Sequence, residues 1–287
     1  MRWSWFGLRP SLERIWSFDA GANVWRLIPS ATGHIVGEVR NHEKKQASFF
    51  CLDESAGRAL WRDRTFEEPW WIGVEAVTGD VIILHTYEKP DMPQHRAMIA
   101  IDARSGLEIW REPDAAFVFL SGASVYGLRQ QLGMRSVVEL ELRTGKLVRI
   151  FDETVPEFGE LRSSATPSID MGQIELAAPY EPGSDPACDS AVNRSILRNL
   201  AATGLESLRM DDYLLVSFFV QSAGGKGLRS EFENHFRVVD LGSGKTLHDE
   251  ILARSVPAPV PDTFYVRHGA VVSVKDLHVV QAHRLSH

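Results

Sequence analysis

The sequence predicts an all-β protein made of repeated four-stranded antiparallel sheets, and two observations carry this prediction. A hairpin phrase occurs four times: an apolar strand, an acidic residue, a short polar loop that closes on glycine, and a second apolar strand. The copies are Leu52–Trp61, Ile101–Trp110, Leu140–Arg149 and Val239–His248. The second observation is spacing, because Gly57, Gly106 and Gly145 follow one another at 49 and 39 residues, near the period of about 40 to 50 residues of a propeller blade. The fold class we predict is a single β-propeller.

The loop of each phrase has the composition of a tight hairpin turn. Glycine adopts positive φ without the steric cost that other residues incur. We therefore expect left-handed turn positions at Gly57, Gly106, Gly145 and Gly244. The acidic residue at the start of each loop can accept backbone N–H groups of the turn.

Two strand-like runs precede each hairpin, so that each unit contains four strands. The units are expected at about 24–63, 69–112, 116–152 and 205–252. Three further apolar runs lack a fourth strand, and they lie at 263–267, 270–274 and 277–281. The N-terminal run 13–18 can supply that strand, because Trp16 precedes Trp61 by 45 residues, in phase with the repeat. We expect one domain over residues 1–287 with five blades, closed by this N-terminal strand.

A segment at about 154–204 breaks the pattern and is interpreted as an insertion. It is rich in proline, and its residues 187–201 have apolar side chains at helical spacing. We expect one inserted helix there, with Ile196, Leu197 and Leu200 facing inward. Alternatively, residues 169–180 hold a degenerate sheet, which would raise the count from five blades to six.

Composition excludes several classes of protein and partner. The 287 residues include 31 basic and 38 acidic ones, a net charge of −7, which gives no support to a nucleic-acid partner. Cys51 and Cys188 are the only cysteines and stand far apart, so neither a disulfide framework nor a cysteine zinc site is expected. Arg2, Arg9 and Pro10 interrupt the start before any run of signal-peptide length. The apolar runs are far shorter than the roughly 20 residues that span a bilayer. We expect a cytoplasmic protein with no membrane partner.

The hairpin phrases resemble the PQQ-like repeat of quinoprotein-type propellers, in which a tryptophan at the end of the phrase docks on a neighbouring blade. Trp61 and Trp110 match that tryptophan and Trp16 lies in register, whereas Arg149 and His248 replace it in the other copies. The resemblance implies the fold. It does not imply quinone chemistry, because the chain lacks a matching set of quinone ligands, so we expect neither PQQ nor another cofactor.

A closer likeness is to a bacterial domain family of unknown function. It is carried by Glu68-Pro-Trp-Trp-Ile-Gly73 and by Lys89-Pro-Asp-Met-Pro-Gln-His95, together with shorter phrases at 24–27, 35–40 and 262–266. This family implies no known reaction.

Charged and aromatic residues of the first two units are the candidate ligand-binding residues. They are Glu38, Arg40, Trp70, Trp71, Glu75, His85, Asp91 and His95. We expect them near the ring axis, where propellers bind their ligands. In the alternative interpretation the tryptophans fill the wedge between blades, and Glu38 and Arg40 form an ordinary ion pair. His85, Asp91 and His95 could ligate a divalent cation, although no fourth ligand is evident.

The sequence contains no phosphate-binding loop, nucleophile elbow or His-Glu-x-x-His pair. We therefore expect a non-catalytic propeller that acts as a protein-binding or assembly module. A small-molecule ligand is the other kind of partner considered. The alternative function is a small-molecule- or metal-binding enzyme that uses an axial pocket, with histidine and carboxylate groups as acid and base.

Overall fold

The computed structural model describes residues 11–88, 92, 94–131, 133–198, 200–222 and 231–286. These residues form five antiparallel sheets, three of four strands and two of five. The chain divides into two compact units: one is Ala22–Gly172, and the other joins the N-terminal segment up to Gly21 to the residues from Gln173 onwards. The prediction of an all-β fold with four-stranded antiparallel sheets is confirmed.

The first described strand, β1 (Ser11–Asp19), belongs to the second unit. Sheet 1 then follows in chain order as β2 (Asn23–Pro29), β3 (His34–Asn41), β4 (Gln46–Asp53) and β5 (Arg58–Arg64). Sheet 2 consists of β6 (Ile72–Thr78), β7 (Val81–Tyr87), β8 (His95–Asp102) and β9 (Glu108–Glu112). Sheet 3 consists of β10 (Ala115–Ser121), β11 (Ser124–Gln131), β12 (Met134–Glu141) and β13 (Leu147–Asp152), and helix α1 (Pro156–Ser163) follows it.

The second unit begins with two very short strands, β14 (Glu175–Leu176) and β15 (Ala178–Pro179). Helix α2 (Pro186–Val192) comes next and runs into a π-helical turn, Asn193–Leu197. Sheet 4 consists of β15, β16 (Ala202–Met210), β17 (Tyr213–Gln221), β18 (Phe232–Asp240) and β19 (Thr246–Val256). Sheet 5 joins β1 and β14 to β20 (Phe264–Arg267), β21 (Ala270–Lys275) and β22 (Val279–Ser286). Across the described residues, no helix has the length and apolar character needed to cross a membrane.

The N-terminal strand pairs where the sequence predicts. β1 runs antiparallel to β22, from Ser11 opposite Ser286 to Asp19 opposite Val279. It supplies the strand that the three C-terminal runs lack, and β22 thereby has a partner on each side. An unpaired β22 would present a row of free backbone groups at the sheet edge, which β1 satisfies.

The predicted hairpin turns are also confirmed. The four phrase glycines have φ between 63° and 69°. The N–H of each donates to the backbone carbonyl of the acidic residue at the start of its loop, as in Gly106 to Asp102 at 2.8 Å. The Asp102 carboxylate in turn accepts the N–H groups of Arg104 and Ser105 at 3.1 and 2.8 Å. The local sequence therefore closes these turns without help from distant residues.

Tryptophan side chains connect the sheets of the first unit. The Nε1 of Trp61, in sheet 1, donates to the carbonyl of Ala103 in the sheet 2 hairpin at 2.8 Å. Trp110 repeats this bond one sheet further, to Leu142 of sheet 3, also at 2.8 Å. Buried apolar side chains fill the space between these sheets, including Phe49, Ile82 and their neighbours. Within the first unit, the repeat thus determines how sheet 1 packs on sheet 2 and how sheet 2 packs on sheet 3.

The insertion differs from its prediction in two ways. The single helix expected at 187–201 is α2 followed by the π-turn; Ile196 is buried and Leu200 is partly buried, but Leu197 is 41% exposed. The inward orientation predicted for Leu197 was wrong, because the wider π-turn changes which residues share the buried face. Residues 169–180 form no sheet of their own: β14 and β15 instead add to the edges of sheets 5 and 4.

Candidate functional site

Three side chains of sheet 2 meet in one cluster, from here on the Glu75 cluster, which consists of Glu75, His85 and His95. The Nδ1 atoms of both histidines lie 2.8 Å from Oε2 of Glu75. The two imidazole rings stack with their centroids 3.6 Å apart and their planes 6° apart. The cluster therefore presents two imidazoles and one carboxylate to the same small volume.

Irregular backbone explains how three neighbouring strands point these side chains at one another. In the pairing of β6 with β7, the register shifts between Val74 and Ala76, so Glu75 is the extra residue of a bulge. The pairing of β7 with β8 shifts likewise on either side of His85. Ala97 of β8 has φ of 59°, within the same irregular stretch. Bulges redirect side chains and are common beside functional sites.

His85 is the buried member of the cluster. It is only 6% exposed, and neither of its ring nitrogens has a partner in hydrogen-bond geometry among the described residues. Its Nδ1 lies 2.8 Å from Oε2 of Glu75, the same atom to which His95 is hydrogen-bonded. A Cβ at Gly73 would lie 3.1 Å from Cε1 of His85 and 3.2 Å from Oε2 of Glu38. The absence of a side chain at position 73 thus lets the imidazole and the second carboxylate approach the strand.

Glu75 is held as a carboxylate. Burial on its own raises the pKa of this carboxyl, but the polar contacts and charges of His85 and His95 outweigh burial and lower the pKa below its usual range. The ionised form has the oxygen lone pairs that bind N–H donors or a cation. The cluster therefore combines one fixed negative charge with two imidazoles.

Glu38 and Arg40 form a buried ion pair that holds the start of β6 in place. Arg40 Nη2 lies 2.6 Å from Oε1 of Glu38, and Oε2 of Glu38 accepts the N–H of Val74 at 3.0 Å. The Arg40 guanidinium also donates to the backbone carbonyls of Trp70 and Ile72. The pair therefore fixes residues 70–74 against β3. This structural role corresponds to the ion pair given above as the alternative to ligand binding.

An aromatic pocket of about 160 Å³ lies beside the Glu75 cluster. It is lined by Trp25, Arg40, His42, Trp70, Trp71 and Tyr87. Tyr87 joins the two sites, because its ring meets Trp71 edge to face at 5.7 Å and meets His85 and His95 at 5.2 and 5.1 Å. A larger, polar cavity of about 930 Å³ includes His95, Arg96, Asp114 and Arg135 in its wall. His95 is thus a boundary residue between the cluster and an open cavity.

The structure separates the predicted site residues into two groups. Glu75, His85 and His95 form the cluster, while Arg40, Trp70 and Trp71 line the aromatic pocket, with Glu38 behind Arg40. Asp91, which the sequence grouped with the two histidines, lies outside the described residues. Within those residues, Glu75 is the carboxylate that joins the histidines.

Sequence reasoning missed three residues that line the pocket: Trp25, His42 and Tyr87. For Tyr87 a signal was present, because alternate residues of a strand face the same side and Tyr87 follows His85 by two. The register of β7 and β8 also places Tyr87 opposite His95.

The comparisons with known proteins give the following findings. A domain family described as "Domain of unknown function (DUF4905)" matches residues 28–110, which span most of sheets 1 and 2 and include the whole Glu75 cluster. Among solved structures, the chain is similar to "Crystal structure of the tricorn protease", with 11% identity, a TM-score of 0.30 and coverage of 92% of this chain and 30% of that chain. It is also similar to "Structure of Dos1 propeller", with 12% identity, a TM-score of 0.31 and coverage of 91% and 68%.

The chain thus spans about 30% of the length of the tricorn protease chain. The comparison with curated proteins found no match. The assignment of a PQQ-like repeat stays a prediction.

Proposed function

We propose that the chain is a single β-propeller domain over residues 1–287, with five blades and an insertion at about 154–204, and that it acts as a non-catalytic protein-binding module. Three features support the fold part of the proposal. The sheets are antiparallel and four-stranded at their core, two phrase tryptophans dock sheet 1 on sheet 2 and sheet 2 on sheet 3, and the N-terminal strand pairs with the last one. A propeller ring usually closes by combining its first and last strands in one sheet, which protects the strand edges at both ends.

The observation that carries the binding function is the aromatic pocket. Trp25 is 64% exposed and Trp71 is 36% exposed, although tryptophan side chains are highly buried on average. Tryptophan, tyrosine and arginine are the residues enriched at the energetic centres of protein interfaces. The pocket therefore has the composition of a site that receives an anchor residue.

The size and rigidity of the pocket favour a protein ligand over a free small molecule. About 160 Å³ is well below the roughly 300 to 1,000 Å³ of sites for drug-sized molecules, and it suits a single side chain. The wall is held in place before binding, because Arg40 and Lys45 lie over the Trp70 ring at 5.3 and 5.0 Å. A preorganised wall reduces the entropy lost on binding. We infer a partner that inserts one aromatic or large aliphatic side chain.

Selection from a displayed peptide library on the purified chain tests this function. The selected peptides are expected to share an aromatic or large aliphatic anchor, and Trp71→Ala is expected to weaken their binding by more than about tenfold, as for interface anchors. Leu107→Ala is the matched control, because Leu107 is an equally apolar but exposed residue outside the pocket lining. Binding that survives Trp71→Ala, or a loss of several kcal/mol in unfolding free energy with binding intact, would identify Trp71 as a packing residue.

The second candidate is a small-molecule-binding enzyme, and one observation favours it. His95 of the Glu75 cluster lies in the wall of the cavity of about 930 Å³. The volume of this cavity is within the size range of small-molecule sites. A ligand at about 100 times its Kd adds roughly 2.7 kcal/mol of stability. A metabolite whose thermal stabilisation disappears in His95→Ala, and persists in Trp71→Ala, would favour the enzyme over the protein-binding module.

A further inference from the structure

The geometry points to a divalent transition-metal site formed by Glu75, His85 and His95, which goes beyond the binding function proposed above and does not depend on it. One ligand atom from each residue lies within 4.8 Å of the other two. Imidazole nitrogen and carboxylate oxygen are the donors that zinc, iron, cobalt and nickel use in proteins. Two histidines with one carboxylate are a complete protein ligand set for such an ion, with further positions open to water or substrate.

The buried imidazole of His85 is the strongest evidence for a metal site, because hydrogen bonds do not account for the burial of its ring nitrogens. Among the described residues Nε2 has no partner, Nδ1 lies 2.8 Å from Oε2 of Glu75 but outside hydrogen-bond geometry, and the residue is 6% exposed. A buried polar group without a partner costs free energy, so native structures rarely retain one unless it has a function. A bound cation would use the lone pair of one ring nitrogen and reduce that cost, leaving the N–H of the other nitrogen.

The positions of the other two ligands fit the same ion. Atoms that bind one zinc ion at roughly 2.0 to 2.2 Å lie about 3 to 3.5 Å apart. The two Nδ1-to-Oε2 separations of 2.8 Å need to lengthen only slightly on binding, and one ring must rotate out of the stack so that both in-plane lone pairs point at the ion. The side chain of His95 is 35% exposed and borders the larger cavity, which supplies a route for the ion and for a further ligand.

Isothermal titration with Zn²⁺, after treatment of the purified chain with a chelator, tests the site. We expect one ion per chain at the cluster, and a loss of affinity of about tenfold or more in both Glu75→Gln and His95→Ala, since even residues that only support a ligand cost about that much. His95→Ala is the principal variant, because this half-exposed side chain can be removed with less risk to folding than buried His85. Circular dichroism establishes that each variant is folded.

A matched control separates this site from binding by surface histidines. His268→Asn removes an exposed histidine of the other unit, and asparagine tolerates the φ of 50° at that position. Its zinc affinity is expected to equal that of the original chain. Co²⁺ in place of Zn²⁺ should give visible absorption bands that disappear in His95→Ala. The absence of zinc binding, or equal affinity in the original chain, Glu75→Gln and His95→Ala, would overturn the proposal.

Discussion

The indole of Trp61 lies directly on Gly106, in the hairpin of the following sheet. Its Nε1 donates to the Ala103 carbonyl at 2.8 Å, and a Cβ at Gly106 would lie 2.7 Å from Cδ2 of the indole. Trp110 stands in the same relation to Gly145. One phrase therefore supplies both halves of the contact: its glycine receives the tryptophan of the previous copy, and its own tryptophan docks on the next.

At the fourth hairpin, an arginine contacts the turn glycine where the second and third hairpins have a tryptophan. Arg149 replaces tryptophan in the third phrase and forms ion pairs with Glu139 and Glu157 instead. The guanidinium of Arg194, from the π-turn of the insertion, approaches Gly244, where an added Cβ would meet it at 2.8 Å. Arg194 thus contacts Gly244 in the way that Trp61 contacts Gly106.

This difference predicts unequal costs for the same substitution in two turns. Gly106 and Gly244 have φ of 68° and 69°, so alanine incurs a similar backbone strain of about 1 to 2 kcal/mol at each. Gly106→Ala should cost about 1 to 3 kcal/mol more, because its Cβ overlaps an indole fixed by a hydrogen bond. Arg194 can move away from Gly244→Ala. Urea unfolding of the two variants measures the difference, and equal losses would contradict the docking role of Trp61.

A methyl group at Gly73 is expected to disturb the Glu75 cluster more than the fold. Its Cβ would lie 3.1 to 3.3 Å from His85 and Glu38, so the imidazole must shift by a few tenths of an ångström. Gly73→Ala should lower the zinc affinity about tenfold and cost about 1 kcal/mol of stability. Gly159→Ala is the control, because that position in α1 has open space around it and should leave zinc binding unchanged. Unaltered zinc binding in Gly73→Ala would show that the position of the His85 ring is unimportant.

Acid should remove a stabilising contribution from Glu250 in the second unit. Burial raises the pKa of this carboxyl, but contacts with His248, Lys275 and Gln281 outweigh burial and lower it from 4.5 to about 2. Nearby His283 has a pKa lowered by burial. Because the folded pKa is depressed, the stabilisation is present above about pH 4.5 and is lost as the pH falls towards 2, by up to about 3 kcal/mol.

Unfolding of the original chain and Glu250→Gln at several pH values measures this contribution. The variant is expected to be less stable at pH 7, and the two free energies of unfolding should converge between pH 5 and pH 2. A difference in free energy of unfolding that stays constant over this range would mean that the contacts of ionised Glu250 do not stabilise the fold.

Both cysteines should be unreactive in the folded protein. Burial raises the pKa of the Cys51 thiol to about 12 and that of Cys188 to about 11, so very little thiolate exists at neutral pH. A chromogenic thiol reagent at pH 8 is expected to label neither residue rapidly, and to label both after denaturation. Fast labelling of one thiol in the native state would contradict the burial of that cysteine.

Local features of the fold could be predicted from sequence because they are determined by neighbouring residues. The turns at Gly57 and Gly106 follow from glycine and an acidic residue at fixed spacing, and the pairing of β1 with β22 follows from the phase of Trp16. The role of Arg194 could not be predicted, because it depends on where the insertion folds back. The exposure of Leu197 depends on a π-turn, which the spacing of apolar residues does not encode.

The candidate site was predicted in its members but not in its grouping. Glu75, His85 and His95 were each selected from sequence, yet the carboxylate grouped with the two histidines was that of Asp91. Its approach to the histidines requires bulges at Glu75 and His85. A shift of one residue moves a side chain to the other face of a strand, so a simple alternating pattern cannot show which side chains meet.

Crystals grown with zinc, measured by anomalous diffraction on either side of the zinc absorption edge, test whether Glu75, His85 and His95 bind a metal ion. We expect an anomalous peak at about 2.0 to 2.2 Å from the Glu75 carboxylate and from a ring nitrogen each of His85 and His95. Zinc peaks elsewhere, with none between these three residues, would contradict it, as would a map in which His85 makes ordinary hydrogen bonds to ordered water.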